Sequence, residues 1–291
     1  MITLNIVGAG RLGQSLARLA ADSGRYRIAG VLCRGRAHAD AAVAFIGAGT
    51  PCTDVNTLPC AELTLIAVPD ARIAEVAAAL AGHAFSPGAL AFHASGAGEV
   101  GLLAPLAARG VAVGCLHPAY SFADPARAAA GFAGTPCAID GDDAVVARLT
   151  TLAEAVGGAP FRLAPGGKAA YHAALSVASN YLVTLTALAG RLARDAGVPD
   201  AAVAGLIGPL MRQTLDNALT LGPAAALTGP IVRGDAGTVA RHLAVFSAGD
   251  DAAAYRALGR LTLALAQESG RPDAAGHAAL RVLLGEPFSP L

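Results

Sequence analysis

The sequence predicts an α/β fold: a mostly parallel sheet with helices on both faces, followed by an all-α domain. Three observations predict it. Short apolar runs alternate with helical patterns through the first half of the chain. Strand patterns stop at Ala164-Pro165-Gly166-Gly167, and only long helical segments follow. The 291 residues also exceed one typical domain of about 100–200 residues.

In order, Leu4–Val7 reads as a strand, Leu12–Asp22 as a helix, Tyr26–Cys33 as a strand, and an Ala-rich helix starts near Ala37. Leu63–Val68 is an apolar strand ending at Pro69-Asp70, with a helix over Ala71–Ala81. Ala89–His93 is a strand broken by Ser95-Gly96-Ala97-Gly98, and Val111–Leu116 is a strand ending at His117-Pro118. Gly134–Ile139 and Pro160–Leu163 are read as strands flanking a helix over Asp143–Val156. Helices are expected over Lys168–Ala196, Ala201–Leu219, Gly237–Ser247, Ala252–Glu268 and Asp273–Leu284, with Gly and Pro in their connections, including Arg271-Pro272. The boundary is placed near residue 164, giving domains 1–164 and 165–291.

Composition narrows the function classes. Lys+Arg and Asp+Glu are both 21, so no basic field points to nucleic acid or an anionic membrane. Hydrophobic residues make up 54% of the chain, enough for a large core. The five cysteines are odd in number and lack paired spacing, which argues against a disulfide framework and a structural zinc site. Free buried thiols, a cytoplasmic location and no metal are expected. Ala173–Gly190 carries no charge and approaches membrane-spanning length. Its Ser, Thr and Asn content favours a buried or dimer-interface helix over a span.

Gly8-Ala9-Gly10-Arg11-Leu12-Gly13 matches G-x-G-x-x-G between a predicted strand and a predicted helix, the context of a dinucleotide site. Gly8 permits the tight turn, Gly10 a close backbone approach to pyrophosphate, and Gly13 tight helix–strand packing. The helix start offers free N–H groups to phosphate. An NAD site of this kind expects an acid about 20 residues on. From Arg25 to Ala39 there is none; Arg34 and Arg36 follow the second strand instead. Guanidinium suits a 2′-phosphate, so the expected cofactor is NADP(H). Val68-Pro69-Asp70 falls at a strand end lining the same crevice. Asp70 either positions the cofactor or caps the following helix. Ser95 is placed with the cofactor-binding residues.

Hydride transfer to a carbonyl or imine needs a donor near the developing charge. The polar candidates are Lys168, Tyr171, His172, Ser176, Ser179 and Asn180. On an ideal helix His172, Ser179, Ser176 and Asn180 lie at about 40°, 20°, 80° and 120° from Lys168, a slanting stripe. Lys168, His172 and Asn180 are the catalytic candidates, and Ser176 a substrate contact. His93-Ala94-Ser95-Gly96 and His117-Pro118 lie at strand ends, where His117 is either a substrate contact or a strand-capping histidine. In Thr228–Asp235, Arg233 could hold a substrate carboxylate or join a salt-bridge loop, and Asp235 could cap the next helix.

These segments together resemble Rossmann-like proteins with a C-terminal helical domain of unknown function. They are grouped with 6-phosphogluconate dehydrogenase-like enzymes such as ketopantoate reductase, pyrroline-5-carboxylate reductase and prephenate dehydrogenase. The matching segments are Gly8–Gly13, His93–Gly96, His117-Pro118, Lys168–Asn180 and Thr228–Asp235. The resemblance implies a helical domain that builds a homodimer, an active site in the interdomain cleft, and a lysine near the start of this helix that donates to the substrate oxygen. Lys168 matches that lysine. One turn on, where relatives carry Asn, this chain has His172. The expected activity is NADP(H)-dependent reduction of a small, ketopantoate-like 2-oxo acid. The alternatives are imine reduction of the pyrroline-5-carboxylate type, a prephenate-type dehydrogenase, and a non-catalytic NADP(H)-binding regulatory protein.

Overall fold

The computed structural model describes residues 1–268 and 276–285. Its sheet is built by β1 (Ile2–Val7), β2 (Tyr26–Leu32), β3 (Thr50–Cys52), β4 (Leu63–Ile66), β5 (Leu90–His93), β6 (Ala112–Pro118), β7 (Pro136–Asp140) and β8 (Ala159–Arg162). Interleaved with them are α1 (Arg11–Asp22), α2 (Arg36–Ile46), α3 (Ile73–Leu80), α4 (Ala104–Ala107), α5 (Pro125–Gly131) and α6 (Asp143–Ala155). Strand order is β3-β2-β1-β4-β5-β6-β7-β8. All neighbours are parallel except β6 and β7. The first six strands thus have the order of a doubly wound dinucleotide fold, with its reversal point between β1 and β4.

The two faces have separate cores. Leu16 and Ala17 of α1, Ala39 and Ile46 of α2 and Leu149 of α6 cover one face. Ile73, Ala77 and Leu80 of α3 with Leu103 and Leu106 cover the other. Strands covered on both sides are mostly apolar, and β4 and β5 are buried at every residue. Burying a side chain such as Leu90 or Phe92 contributes roughly 1.5–3 kcal/mol. Asn5, Thr64 and His93 are buried polar residues of β1, β4 and β5, and Asn5 serves the backbone. Pairing of β1 with β2 shifts between Leu4 and Ile6. Asn5 Oδ1 accepts from Gly30 N at 2.9 Å, and its Nδ2 donates to Pro59 O at 2.6 Å. The side chain thereby supplies a bond that the irregular ladder omits.

β3 was not expected from the sequence; its three residues, Thr-Pro-Cys, are too few for a period to register. The helix predicted over Ala71–Ala81 starts instead with a 3₁₀ turn at Asp70–Arg72 before α3.

The chain divides into two compact units, Met1–Tyr181 and Leu182–Leu291, so the division falls after the boundary expected near residue 164. The reason is α7 (Lys168–Ser176), whose first residue is anchored to the sheet unit. The long helix expected over Lys168–Ala196 is also interrupted. A π turn at Val177–Tyr181 separates α7 from α8 (Leu182–Asp195). A π turn holds more residues per turn than an α-helix, so the angular count that placed Ser179 and Asn180 in line with Lys168 fails beyond Ser176.

The second unit is helical: α8, α9 (Asp200–Leu221), α10 (Pro223–Ala226), α11 (Ala236–Val245), α12 (Asp250–Glu268) and α13 (Gly276–Leu284). The predicted start of the last helix at Asp273, and Arg271-Pro272, lie outside the described residues. Val239, Leu263, Leu280 and Leu284 form its small core. Arg191 Nη2 bonds the Asp251 carboxylate at 2.8 and 2.9 Å, tying α8 to α12. Asp235 caps α11 by accepting from Thr238 N at 2.9 Å, and hydrogen bonding from the Thr238 side chain, then from its backbone, holds the carboxyl below the usual range. The run Lys168–Asp195 is long and apolar enough to cross a membrane by length and composition, yet only 11% of its most apolar window is buried. The expectation of a buried helix is therefore not met within this chain. Among the described residues, several large apolar side chains of α8 and α9, including Val183, Leu206, Leu210 and Leu219, are exposed.

Candidate active site

The carboxyl ends of the parallel strands bring most of the candidate residues to one edge of the first unit. After β1, Gly8 has φ +89°, a conformation that L side chains rarely adopt. A Cβ there would lie 2.7 Å from Ala67 O and from Val68 Cγ1, so the turn after β1 packs directly on the turn after β4. A Cβ on Gly13 would overlap Gly8 O. Gly10, by contrast, has open space where a Cβ would stand, and it begins α1 without a side-chain cap. The first N–H groups of α1 are thus left for an anion. This cradle fits a dinucleotide pyrophosphate. Arg11 lies exposed beside it, with Nη1 3.4 Å from Ala123 O, and Leu12 packs inward.

Arg34 and Arg36 stand exposed after β2, Arg36 paired with Asp40 at 2.9 Å. Gly35 precedes α2 without a side-chain cap, so the first N–H groups of α2 have no capping side chain. The sequence reading missed His38, whose Nε2 donates to Ala9 O at 3.1 Å and ties α2 to the glycine turn. Gln14 Nε2 donates to the same oxygen at 2.7 Å. A lone exposed histidine gives no signal of such a contact.

Beside this cradle lies a polar cluster at the ends of β5 and β6. Lys168 is buried, 4% exposed. Its Nζ donates to Gly98 O and stands 3.9 Å from Asp140 Oδ2. The Gly98 loop is held in turn: Gly98 N donates to Ser95 Oγ, and Ser95 Oγ donates to Asp70 Oδ2, each at 2.7 Å. Asp70 is therefore occupied by Ser95, and no side chain caps the turn that begins there. Ser95 is buried in this relay.

His93 is fully buried, accepting from Ser95 N at Nδ1 and donating from Nε2 to Glu99 O, both at 3.2 Å. His117 Nδ1 lies 2.9 Å from Tyr171 Oη. The His117 and His172 rings are 6.3 Å apart, edge to face. Burial pushes both His93 and His117 down to about 4, aided by the neighbouring Lys168 and, for His117, by His172. Both rings are neutral at pH 7. Burial raises the Tyr171 hydroxyl to about 12 and the Cys115 thiol to about 11.

His172 stands beside His117, and Lys168 is near enough for its charge to act on that ring. Asn180 lies exposed in the π turn. Ser176 ends α7, half-buried. Arg233 is exposed in the second unit, where Asp235 takes the capping role. Tyr171, Asp140 and Gly96 enter the cluster without having been assigned a role from sequence, because only the fold brings residues 96, 117, 140 and 171 together. Among the described residues no group of three or more His, Cys, Asp or Glu side chains is arranged to hold a metal. All five cysteines are free, and all but Cys60 are buried.

Residues 1–118 match the model of a Rossmann-like domain. Residues 135–262 match a domain of unknown function (DUF2520). The second match begins before β7, so it spans two strands of the sheet as well as helices. No curated protein matches the sequence of the chain. Among solved structures, "putative NADP oxidoreductase BF3122" from Bacteroides fragilis is similar with a TM-score of 0.73 and 23% identity, over 92% of this chain and 97% of that one. Protein TM1727 from Thermotoga maritima gives 0.70 and 25%, over 92% and 100%. A pyrroline-5-carboxylate reductase from Coxiella burnetii gives 0.57 and 16%, over 92% and 97%. These likenesses agree with the fold that the resemblance implied: a Rossmann-like domain over residues 1–118 is followed by the DUF2520 domain over residues 135–262.

Proposed function

We propose that the chain is an NADP(H)-dependent oxidoreductase that reduces a small 2-oxo acid of ketopantoate type. The observation that carries this reading is the buried ammonium of Lys168, held with the neutral imidazole of His117 at the sheet edge that also bears the Gly8–Gly13 cradle. An ammonium kept from water is a costly feature for a merely structural lysine. It is suited to stabilising charge that develops on an oxygen.

In this reading the turn at Gly8–Gly13 and the start of α1 hold the pyrophosphate. Arg34, Arg36 and the uncapped start of α2 hold the 2′-phosphate. The bound cofactor supplies the hydride. Lys168 donates a hydrogen bond or proton to the substrate oxygen, and His117 and His172 orient the substrate. The name of the Bacteroides fragilis relative supports the choice of NADP, and that of the Coxiella burnetii relative keeps imine reduction as the second reading. A homodimer through the helical unit is part of the proposal, supported by the exposed apolar side chains of α8 and α9.

The test is a comparison of NADPH and NADH binding by calorimetry, followed by a substrate panel monitored at 340 nm with ketopantoate, pyrroline-5-carboxylate and prephenate. Preference for NADPH and turnover of a 2-oxo acid are expected. Tighter binding of NADH would overturn the cofactor assignment. Turnover of pyrroline-5-carboxylate alone would select the imine reading.

A further inference from the structure

His117 Nε2 makes no hydrogen bond among the described residues, and His172 Nδ1 is buried without a partner. Both face the same point. A Cβ on Gly96 would stand 2.8 Å from His117 Nε2 and 2.7 Å from His172 Nδ1. Glycine at 96 is what lets the two rings approach the backbone of the loop after β5. The opposite nitrogen of His117 is occupied by Tyr171 at 2.9 Å.

The direction of that bond decides which nitrogen of His117 carries its proton. A phenol is a stronger proton donor than a neutral imidazole N–H, and an imidazole nitrogen is a better acceptor than a phenol oxygen. The bond therefore runs from Tyr171 O–H to His117 Nδ1. The single proton of the neutral ring is left on Nε2, the side that faces Gly96. His93 is fixed in the same tautomer by backbone groups, since its Nε2 donates to Glu99 O. His117 has no such backbone partner, so its tautomer depends on one side chain.

We infer that Tyr171 is a positioning residue: its hydroxyl holds His117 in the Nε2–H tautomer and so aims a donor past Gly96, beside the unpartnered His172 Nδ1, at one oxygen of the substrate. One donor and one open nitrogen together suit a carbonyl that becomes a hydroxyl. This rests on the reductase reading for the identity of the oxygen, but the tautomer itself does not depend on that reading.

The experiment is ¹⁵N nuclear magnetic resonance of the uniformly labelled full chain, reading long-range nitrogen–proton couplings of the imidazoles at pH 7.5. His117→Gln and His172→Gln variants assign the two rings. The expected result is a protonated Nε2 on His117 in the wild type and a mixture of both tautomers in Tyr171→Phe. A wild-type His117 protonated at Nδ1 overturns the inference without any variant having to fold, and so does an unchanged tautomer in Tyr171→Phe. Either failure would leave NADPH binding and turnover intact and so would not count against the proposed activity. With a substrate from the panel, Tyr171→Phe lowers kcat with little change in the Kd for NADPH.

Discussion

Lys168 Nζ donates to the carbonyl of Gly98, so the first residue of α7 is fastened to the loop that follows β5. Ser95 and Asp70 hold that loop from the other side. The ammonium is fixed in place by the sheet unit alone.

Replacing the lysine tests its part in the chemistry. Lys168→Met keeps most of the apolar volume and removes the charge. A hundredfold to ten-thousandfold fall in kcat is expected, the usual contribution of a general acid or its equivalent, with the Kd for NADPH unchanged. Steady-state kinetics with the panel substrate and a thermal melt of the same variant make the check. Unaltered turnover in a folded variant would remove Lys168 from the mechanism.

The arginines after β2 should discriminate between the two cofactors. Arg34→Ser and Arg36→Ser each remove a charge-assisted hydrogen bond, worth about 1.5–3 kcal/mol. The Kd for NADPH should therefore rise at least tenfold in each, while that for NADH stays level. Equal weakening of both cofactors would place the arginines away from the 2′-phosphate.

Stability should fall on the acid side of neutrality. The folded-state values of His93 and His117 are pushed down to about 4, against about 6.5 in the unfolded chain. Below pH 6.5 the unfolded chain takes up protons that the folded one refuses. The stabilisation is complete above that pH and is lost as pH falls toward 4, by up to roughly 3 kcal/mol per histidine. Calorimetric melts between pH 7.5 and 4.5 should show Tm dropping, with a shallower slope in His117→Gln. A flat profile would contradict the burial argument.

The exposed apolar side chains of the helical unit predict self-association. Val183 is 69% exposed, Leu210 64% and Leu219 77%. Large apolar side chains left exposed mark an interaction site where they join into one patch. Sedimentation velocity should give a dimer for the wild type and a monomer for Val183→Glu/Leu210→Glu. A monomeric wild type, or flotation of the chain with lipid vesicles, would refute the dimer.

Much of this architecture was legible in the residues, for identifiable reasons. The turn at Gly8–Gly13 carries its own constraints: a positive φ at Gly8 and backbone overlap at Gly13 leave no other residue type room. The apolar runs of β4 and β5 announce strands covered on both faces. Lys168 and His172 stood out because polar groups in an apolar helix need a reason to be there. The interruption at Val177–Tyr181 was not legible, since a π turn has no hydrophobic period of its own, and it changes the angular count for every residue beyond Ser176. Tyr171 and Gly96 gained their meaning only from a neighbour far along the chain, His117.

The antiparallel step between β6 and β7 has a practical consequence. The two matched domains meet between residues 118 and 135, so a sequence-based cut there looks natural. That cut would sever β6 from β7, which pair from Cys115↔Asp140 to Pro118↔Cys137. It would strip the edge of the sheet bare on one fragment and leave Cys137, Ile139, Val145 and Leu149, all buried in the intact chain, open to water on the other. Unpaired edges and bared cores are what drive chains to aggregate. The heritable module and the folding module in this protein therefore end at different residues, and only fragments that keep β6, β7 and β8 together should stay in solution.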